Sequence, residues 1–280
     1  MLLGVNIDHI ATLREARKIN DPNPLDAVSI CKVSGADQIT IHLREDRRHI
    51  HDLDAKAIIE QSALPVNLEC SINSDIIDIV CNLKPYRVTL VPENRAEVTT
   101  EGGLDLENNF QKISRTIEQL KSNDIDKRAS GLELLFTVPH KNNEIEVSLF
   151  IDPTLKSIEL SNMLGASWLE LHTGTYANIY AMLNTNLRFT QHSIKELELP
   201  KEKLKEKLEH SLENIKISSS YAVNLGLKIA AGHGLNYQNV RNICEIKDII
   251  ELNIGQSIIA RSVFTGLSSA IVEMKNLISK

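Results

Sequence analysis

Eight short runs of β-branched and aliphatic residues recur along this chain, with helix-period segments between them. The alternation limits the fold more than any other feature of the sequence. The runs lie at 2–7, 38–42, 65–69, 87–91, 147–151, 168–172, 228–231 and 249–254, and amphipathic stretches fill 24–34, 54–61, 74–83, 110–122, 154–164 and 201–225. Strands joined through helices pair in parallel. Eight of them close most simply into an α/β (β/α)8 TIM barrel, expected as one domain over 1–280 with extra helices. An internal echo agrees: Gly35-Ala36 precedes His42 at the same spacing as Gly165-Ala166 precedes His172. Each reads as a helix end followed by a strand that finishes on histidine.

Two stretches exceed a minimal barrel. Residues 124–146 contain the apolar run 132–138 and the turn-like Pro139-His140-Lys141, which suggests an inserted β-hairpin. Residues 176–200 are broken at Asn184-Thr185-Asn186 and read as a lid or a subunit contact.

Strand periodicity then predicts which side chains face the barrel axis. Neighbouring side chains on a strand point to opposite sides. The apolar sets (Val5 and Ile7, Ile39 and Ile41, Val66 and Leu68, Leu169 and Leu171) must pack on the outer helices. Asn6, Asp8, His42, Glu69, Glu170 and His172 then converge inside, near the strand C-termini. Any one of them could be a hydrogen-bonded core residue. Six together, where Val, Ile and Leu are usual, are costly without a ligand and indicate a functional site.

The loop after the second strand, His42-Leu43-Arg44-Glu45-Asp46-Arg47-Arg48-His49-Ile50-His51, crowds three histidines and three arginines into ten residues. A charge run is ordinarily a solvated loop. At the mouth of a barrel it supplies guanidinium forks for phosphate and imidazoles that titrate near neutrality. Gly232-His233-Gly234 and Gly255-Gln256-Ser257 follow the last two strands, where barrels often hold phosphate. The second turn opens a helix, with Ser257 read as its cap. His233 is either a surface residue or an acid–base group over substrate, and its setting between two glycines favours the latter.

The net charge of −6 excludes a general nucleic-acid binder and fits a small anionic ligand. The four cysteines form no CxxC pair and no zinc spacing, so reduced thiols, a cytoplasmic setting and no metal are expected. No apolar run reaches membrane-spanning length and the first residues carry no signal-peptide pattern.

Longer motifs carry a specific resemblance. Residues 4–14, 42–50, 67–69, 91–93, 99–105, 147–152, 170–174, 231–235 and 251–255, in that order, closely resemble the pyridoxine 5′-phosphate synthase family. The resemblance implies a TIM barrel with extra helices, assembled as a homo-octamer of dimers, that needs no cofactor. It implies condensation of 3-amino-2-oxopropyl phosphate with 1-deoxy-D-xylulose 5-phosphate to give pyridoxine 5′-phosphate, phosphate and water. By motif, His42 and Glu69 resemble proton acceptors, His233 the proton donor, and Glu170 a group that assists the transition state. Asn6, Asp8, His9, Arg17, Arg44, His49 and Thr99 resemble substrate-binding positions. Gly234, Gly255 and Gln256 resemble the phosphate cradle.

The chain departs from the family pattern at Gln256, usually histidine, at Ala230, commonly asparagine, and in its two long segments. A phosphosugar aldolase working through an imine would want a lysine at a strand C-terminus, and Lys228 sits at the opposite end of its strand. A phosphometabolite sensor that had lost catalysis would lack His42, Glu69 or His233, and all are present.

Overall fold

The computed structural model describes residues 1–93, 102–122 and 145–279. Eight parallel strands close in chain order: β1 (Leu2–Asn6), β2 (Gln38–Leu43), β3 (Val66–Cys70), β4 (Arg87–Leu90), β5 (Glu146–Ile151), β6 (Trp168–His172), β7 (Lys228–Gly232) and β8 (Ile249–Ile254), with β8 pairing back onto β1. Each expected strand is present, with ends shifted by at most one residue. The helices are α1 (Asp8–Glu15), α2 (Pro24–Val33), α3 (Asp52–Gln61), α4 (Ser74–Leu83), α5 (Phe110–Ser122), α6 (Leu155–Met163), α7 (Gly174–Asn184), α8 (Lys201–Asn224), α9 (Val240–Cys244), α10 (Gln256–Thr265) and α11 (Leu267–Ile278). Among the described residues no helix is long and apolar enough to cross a membrane.

Local chemistry sets several helix starts. Asn23 accepts from the Leu25 amide before Pro24, Asn73 caps α4, and the Thr154 hydroxyl accepts from the Ser157 amide. Gly35 and Gly165 both take positive φ where α2 and α6 give way to the next strand, so the sequence echo reflects a repeated helix-to-strand turn. The expected cap at Ser257 is corrected: α10 starts two residues earlier, with Gly255 at its N-cap, and the Ser257 hydroxyl donates to the Leu235 carbonyl. The run 132–138 and its expected hairpin lie outside the described residues. In 176–200 the helix α7 does end at Asn184, and short 3₁₀ turns at Leu187–Phe189 and Lys195–Leu197 follow. Leu187, Ile194 and Leu197 pack there on a small satellite core of Ile179, Met182 and Leu204.

The strand parity is as expected. Ile39, Ile41, Leu68, Val88, Leu169 and Leu171 are fully buried in the apolar layer between barrel and helices. The inner faces carry Gln38, Thr40, Asn67, Arg87, Thr89, Trp168, Glu170, Glu251 and Asn253, a largely polar interior instead of an aliphatic plug. Toward the strand N-termini, Arg87 Nη1 lies 2.7 Å from Glu251 Oε1 and its guanidinium stacks 3.6 Å over the Trp168 ring. Lys228 sits at that same end, 3.1 Å from Glu146. The Asn253 carboxamide links the layers, accepting from Thr40 at 3.2 Å and donating to Glu170 at 2.7 Å. Gly4 is required beneath it, because a Cβ there would strike the Asn253 amide oxygen.

Candidate active site

The strand C-termini open into a cavity of about 370 Å³. Asn6, Asp8, His9, His42, Arg44, His49, Glu69, Glu170, His233, Gly234, Gly255 and Gln256 all line it. Twelve of the fourteen positions to which the motifs assign a role therefore meet in one place. Arg17 does not line it: it is exposed in the turn after α1. Thr99 lies outside the described residues.

Asp8 fastens the first two strands together. It begins α1, takes the Asn6 amide at 2.8 Å and the His42 backbone N–H at 2.9 Å, and so links the ends of β1 and β2. Burial pushes its carboxyl above the usual aspartate range, while His49 and these hydrogen bonds pull it back. His42 and Glu69 are register partners on β2 and β3, with Nδ1 and Oε2 4.0 Å apart. On the other side of the ring, His42 Nε2 is 3.9 Å from Glu93 Oε2, and Arg44 Nη2 reaches the other Glu93 oxygen at 3.2 Å. Glu93 ends the motif 91–93; its place beside His42 and Arg44 depends on the β4 loop, which strand periodicity does not reach.

His49 is oriented by backbone. Its Nδ1 accepts the Ile50 N–H at 2.8 Å, so the neutral ring carries its proton on Nε2 and offers a donor. Behind it, Arg14 forks onto Asp54 with two 2.8 Å contacts and donates to the His49 carbonyl at 2.8 Å. No local signal identified this clamp, because its partner lies 40 residues away.

Two carboxyl groups stand at the centre of the cavity, Glu170 fully buried and Glu69 largely so. Burial is the main cause that holds Glu69 well above the usual glutamate range, and the nearby Glu170 and Asp8 charges add to it. Burial likewise raises Glu170 to about 7, against the Asn253 hydrogen bond and the Arg87 charge, which pull it down. Gly232 is the position that admits Glu170, since a Cβ there would meet Oε1.

These shifts carry a stability signature. At low pH Glu170 is protonated in both folded and unfolded chains. As pH rises past 4.5, the unfolded carboxyl ionises while the folded one keeps its proton, so stability falls until about pH 7. At about 1.4 kcal/mol per pH unit the span amounts to roughly 3 kcal/mol. Glu170→Gln, which cannot ionise, should raise Tm at pH 8 by roughly 5 °C. It should change Tm little at pH 4, and calorimetry at the two pH values checks this. Equal Tm for both proteins at pH 8 would contradict the burial of that carboxyl.

The opposite rim carries the anion-binding features. His233 has φ 75° and Gly234 φ 80°, a left-handed pair that turns β7 sharply over the cavity. The Thr173 hydroxyl holds this turn, its one hydrogen shared between the Gly232 and His233 carbonyls, each 2.7 Å from Oγ1. Next to it, α10 begins at the rim with no side-chain cap, which leaves first-turn N–H groups and the helix dipole to meet an anion. The side chain of Gln256 is exposed beside them. Gly255 lies against Asn6, whose Cβ an added methyl would approach to 2.8 Å. Among the described residues no group of three His, Cys, Asp or Glu side chains is placed to hold a metal.

The family model "Pyridoxal phosphate biosynthesis protein PdxJ" matches residues 3–130 and 131–280. A pyridoxine 5′-phosphate synthase of Aliarcobacter butzleri (strain RM4018) is 69% identical over 278 residues, 99% of each chain. Another from Sulfurovum sp. (strain NBC37-1) is 58% identical over 99% of this chain and 100% of its own. The long segments therefore do not set this chain apart in length from such relatives. Among solved structures, the tryptophan synthase α-subunit of Pyrococcus furiosus superposes with a TM-score of 0.54 at 9% identity, over 98% of this chain and 97% of that one. A thiamine phosphate pyrophosphorylase from the same organism gives 0.52 at 11%, over 99% and 95%. Those two likenesses concern the barrel fold alone. The full-length match to the family model and the high identity to its curated members establish that the chain belongs to the PdxJ family, that of the pyridoxine 5′-phosphate synthases.

Proposed function

We propose that this chain is a cytoplasmic enzyme that condenses 3-amino-2-oxopropyl phosphate with 1-deoxy-D-xylulose 5-phosphate. The products are pyridoxine 5′-phosphate, inorganic phosphate and water, and the reaction runs by general acid–base catalysis. One observation carries the reading: desolvated carboxyls, imidazoles and an uncapped helix N-terminus border a single cavity. Imine formation, dehydration and ring closure each move a proton between carbon, nitrogen or oxygen. Positioned acids and bases give about 10²–10⁴-fold per step.

Glu69 and His42 are the proton acceptors in this reading. Burial keeps the Glu69 carboxylate basic enough to take a proton near neutrality. His233, over the cavity on its left-handed turn, returns a proton to the leaving oxygen. Glu170 stabilises positive charge that builds on the condensing nitrogen. Arg44, His49 and the first turn of α10 hold the phosphates, with Asn6, Asp8 and His9 orienting the substrate between them. Arg17 and Thr99 are assigned to substrate binding by motif alone. Assembly as a homo-octamer of dimers and independence of any cofactor belong to the same reading.

The test is direct. Purified protein mixed with both phosphorylated substrates should yield pyridoxine 5′-phosphate by mass and absorbance, and either substrate alone should yield none. Binding of both without product would leave a sensor in place of an enzyme.

A further inference from the structure

His172 ends β6 one inward position beyond Glu170, and none of the roles above uses it. Its side chain is 3% exposed and its ring lines the cavity. The ring packs 5.1 Å from Phe150 and 5.1 Å from His233, edge-on to the latter. Nδ1 stands 3.1 Å from Asp152 Oδ1, just past the end of the neighbouring strand. The other nitrogen, Nε2, is buried and has no hydrogen-bond partner among the described residues. A buried polar atom left in this state costs stability and is kept where something else satisfies it.

The Asp152 carboxyl is held below the usual aspartate range by its bond to His172, so it is an acceptor only. Nδ1 must therefore carry the hydrogen. In the neutral ring Nε2 then has a lone pair and no proton, so this wall offers an acceptor. His49 has the opposite arrangement, because the Ile50 amide occupies its Nδ1 and makes Nε2 a donor. The two imidazoles are thus fixed in opposite tautomers. A donor suits phosphate oxygens, and an acceptor suits the hydroxyl or amine of the substrate that carries them.

We propose that His172 is a further substrate-contacting residue whose Nε2 accepts a hydrogen bond from a hydroxyl or amine of the bound substrate. Asp152 is the positioning residue that fixes its tautomer. The inference deepens the synthase reading and rests on it. His172→Phe keeps a ring and removes the acceptor. Asp152→Asn can donate its amide to Nδ1 and so drive the proton to Nε2, the wrong tautomer. Asp152→Glu keeps an acceptor.

Turnover with both substrates should fall by about 100-fold in kcat/KM for His172→Phe and Asp152→Asn, and Asp152→Glu should return to within about tenfold of the parent. The dissociation constant for inorganic phosphate, read by calorimetry, should stay within about twofold, because phosphate is held elsewhere in the cavity. Retention of parent kcat/KM by folded Asp152→Asn would overturn the proposal, and that variant decides the matter if His172→Phe does not fold. Equal losses for Asp152→Asn and Asp152→Glu with weakened phosphate binding would make the pair structural and overturn it as well. Failure of the parent protein to form product would instead remove the synthase reading, and this proposal with it.

Discussion

Glu69→Gln is expected to lower kcat by about 10²–10⁴-fold while leaving the protein folded. Glutamine preserves the volume and one acceptor oxygen, so the space beside His42 is still filled and what disappears is the base. The reason to expect so large an effect is the setting of the carboxyl: it lies on the inner face of β3, 16% exposed, with Glu170 and Asp8 as like-charged neighbours. An ordinary glutamate is too weak a base to take a carbon-bound proton readily at pH 7, and burial is what raises its basicity. The same burial destabilises the fold once the group ionises. Below pH 4.5 the carboxyl is protonated in both states. Above it the unfolded chain releases its proton first, and folding stability declines as pH rises toward the elevated folded value. The variant should therefore be less active and, at pH 8, more resistant to heat. Steady-state kinetics and calorimetry on one preparation test both halves. Activity within about threefold of the parent would remove Glu69 from the proton transfers.

The largest stability effect is expected at the other end of the barrel. Arg87 and Glu251 are both buried, at 4% and 2% side-chain exposure, and meet at 2.7 Å. Replacing Arg87 by leucine strands the Glu251 carboxylate among groups that cannot neutralise it and removes the stack on Trp168. Breaking a buried pair from one side costs about 3–5 kcal/mol. Removing both charges costs less, because neither is left uncompensated. Arg87→Leu should accordingly lose about 4 kcal/mol in urea unfolding, and Arg87→Leu with Glu251→Leu should recover at least half of it. A loss below about 1 kcal/mol for the single variant would mean that water reaches Glu251. The effect extends to the site, because the Arg87 charge is one of the two influences that pull Glu170 down from its burial-raised value.

The barrel could be read from the sequence because each strand is short, bounded and followed by a helix-period segment. The inner ring could be read because parity needs only the strand itself. Ile41 and His42 differ by one position, and that difference decides outer layer or cavity. Contacts that join distant segments were not legible. Arg87 looked like an ordinary strand start, since its partner Glu251 is 164 residues away. Arg14 with Asp54, and Asp152 with His172, were hidden for the same reason. Helices α1, α7, α9 and α11 were also missed. The first is only eight residues long and α9 only five, α7 begins on glycine, and α11 follows α10 with just Gly266 between them. Ser257 was misread as a cap because a hydroxyl near a glycine turn is a common helix start, and here Gly255 takes that place.

The inward placement of the acidic ring is best tested by a carboxyl ¹³C NMR titration of Glu69, with Glu69→Gln to assign the signal. A midpoint well above 4.5 is expected, since a desolvated carboxyl beside Glu170 and Asp8 holds its proton. A midpoint at or below 4.5 would put that carboxyl in water and contradict the acid–base site at the barrel mouth.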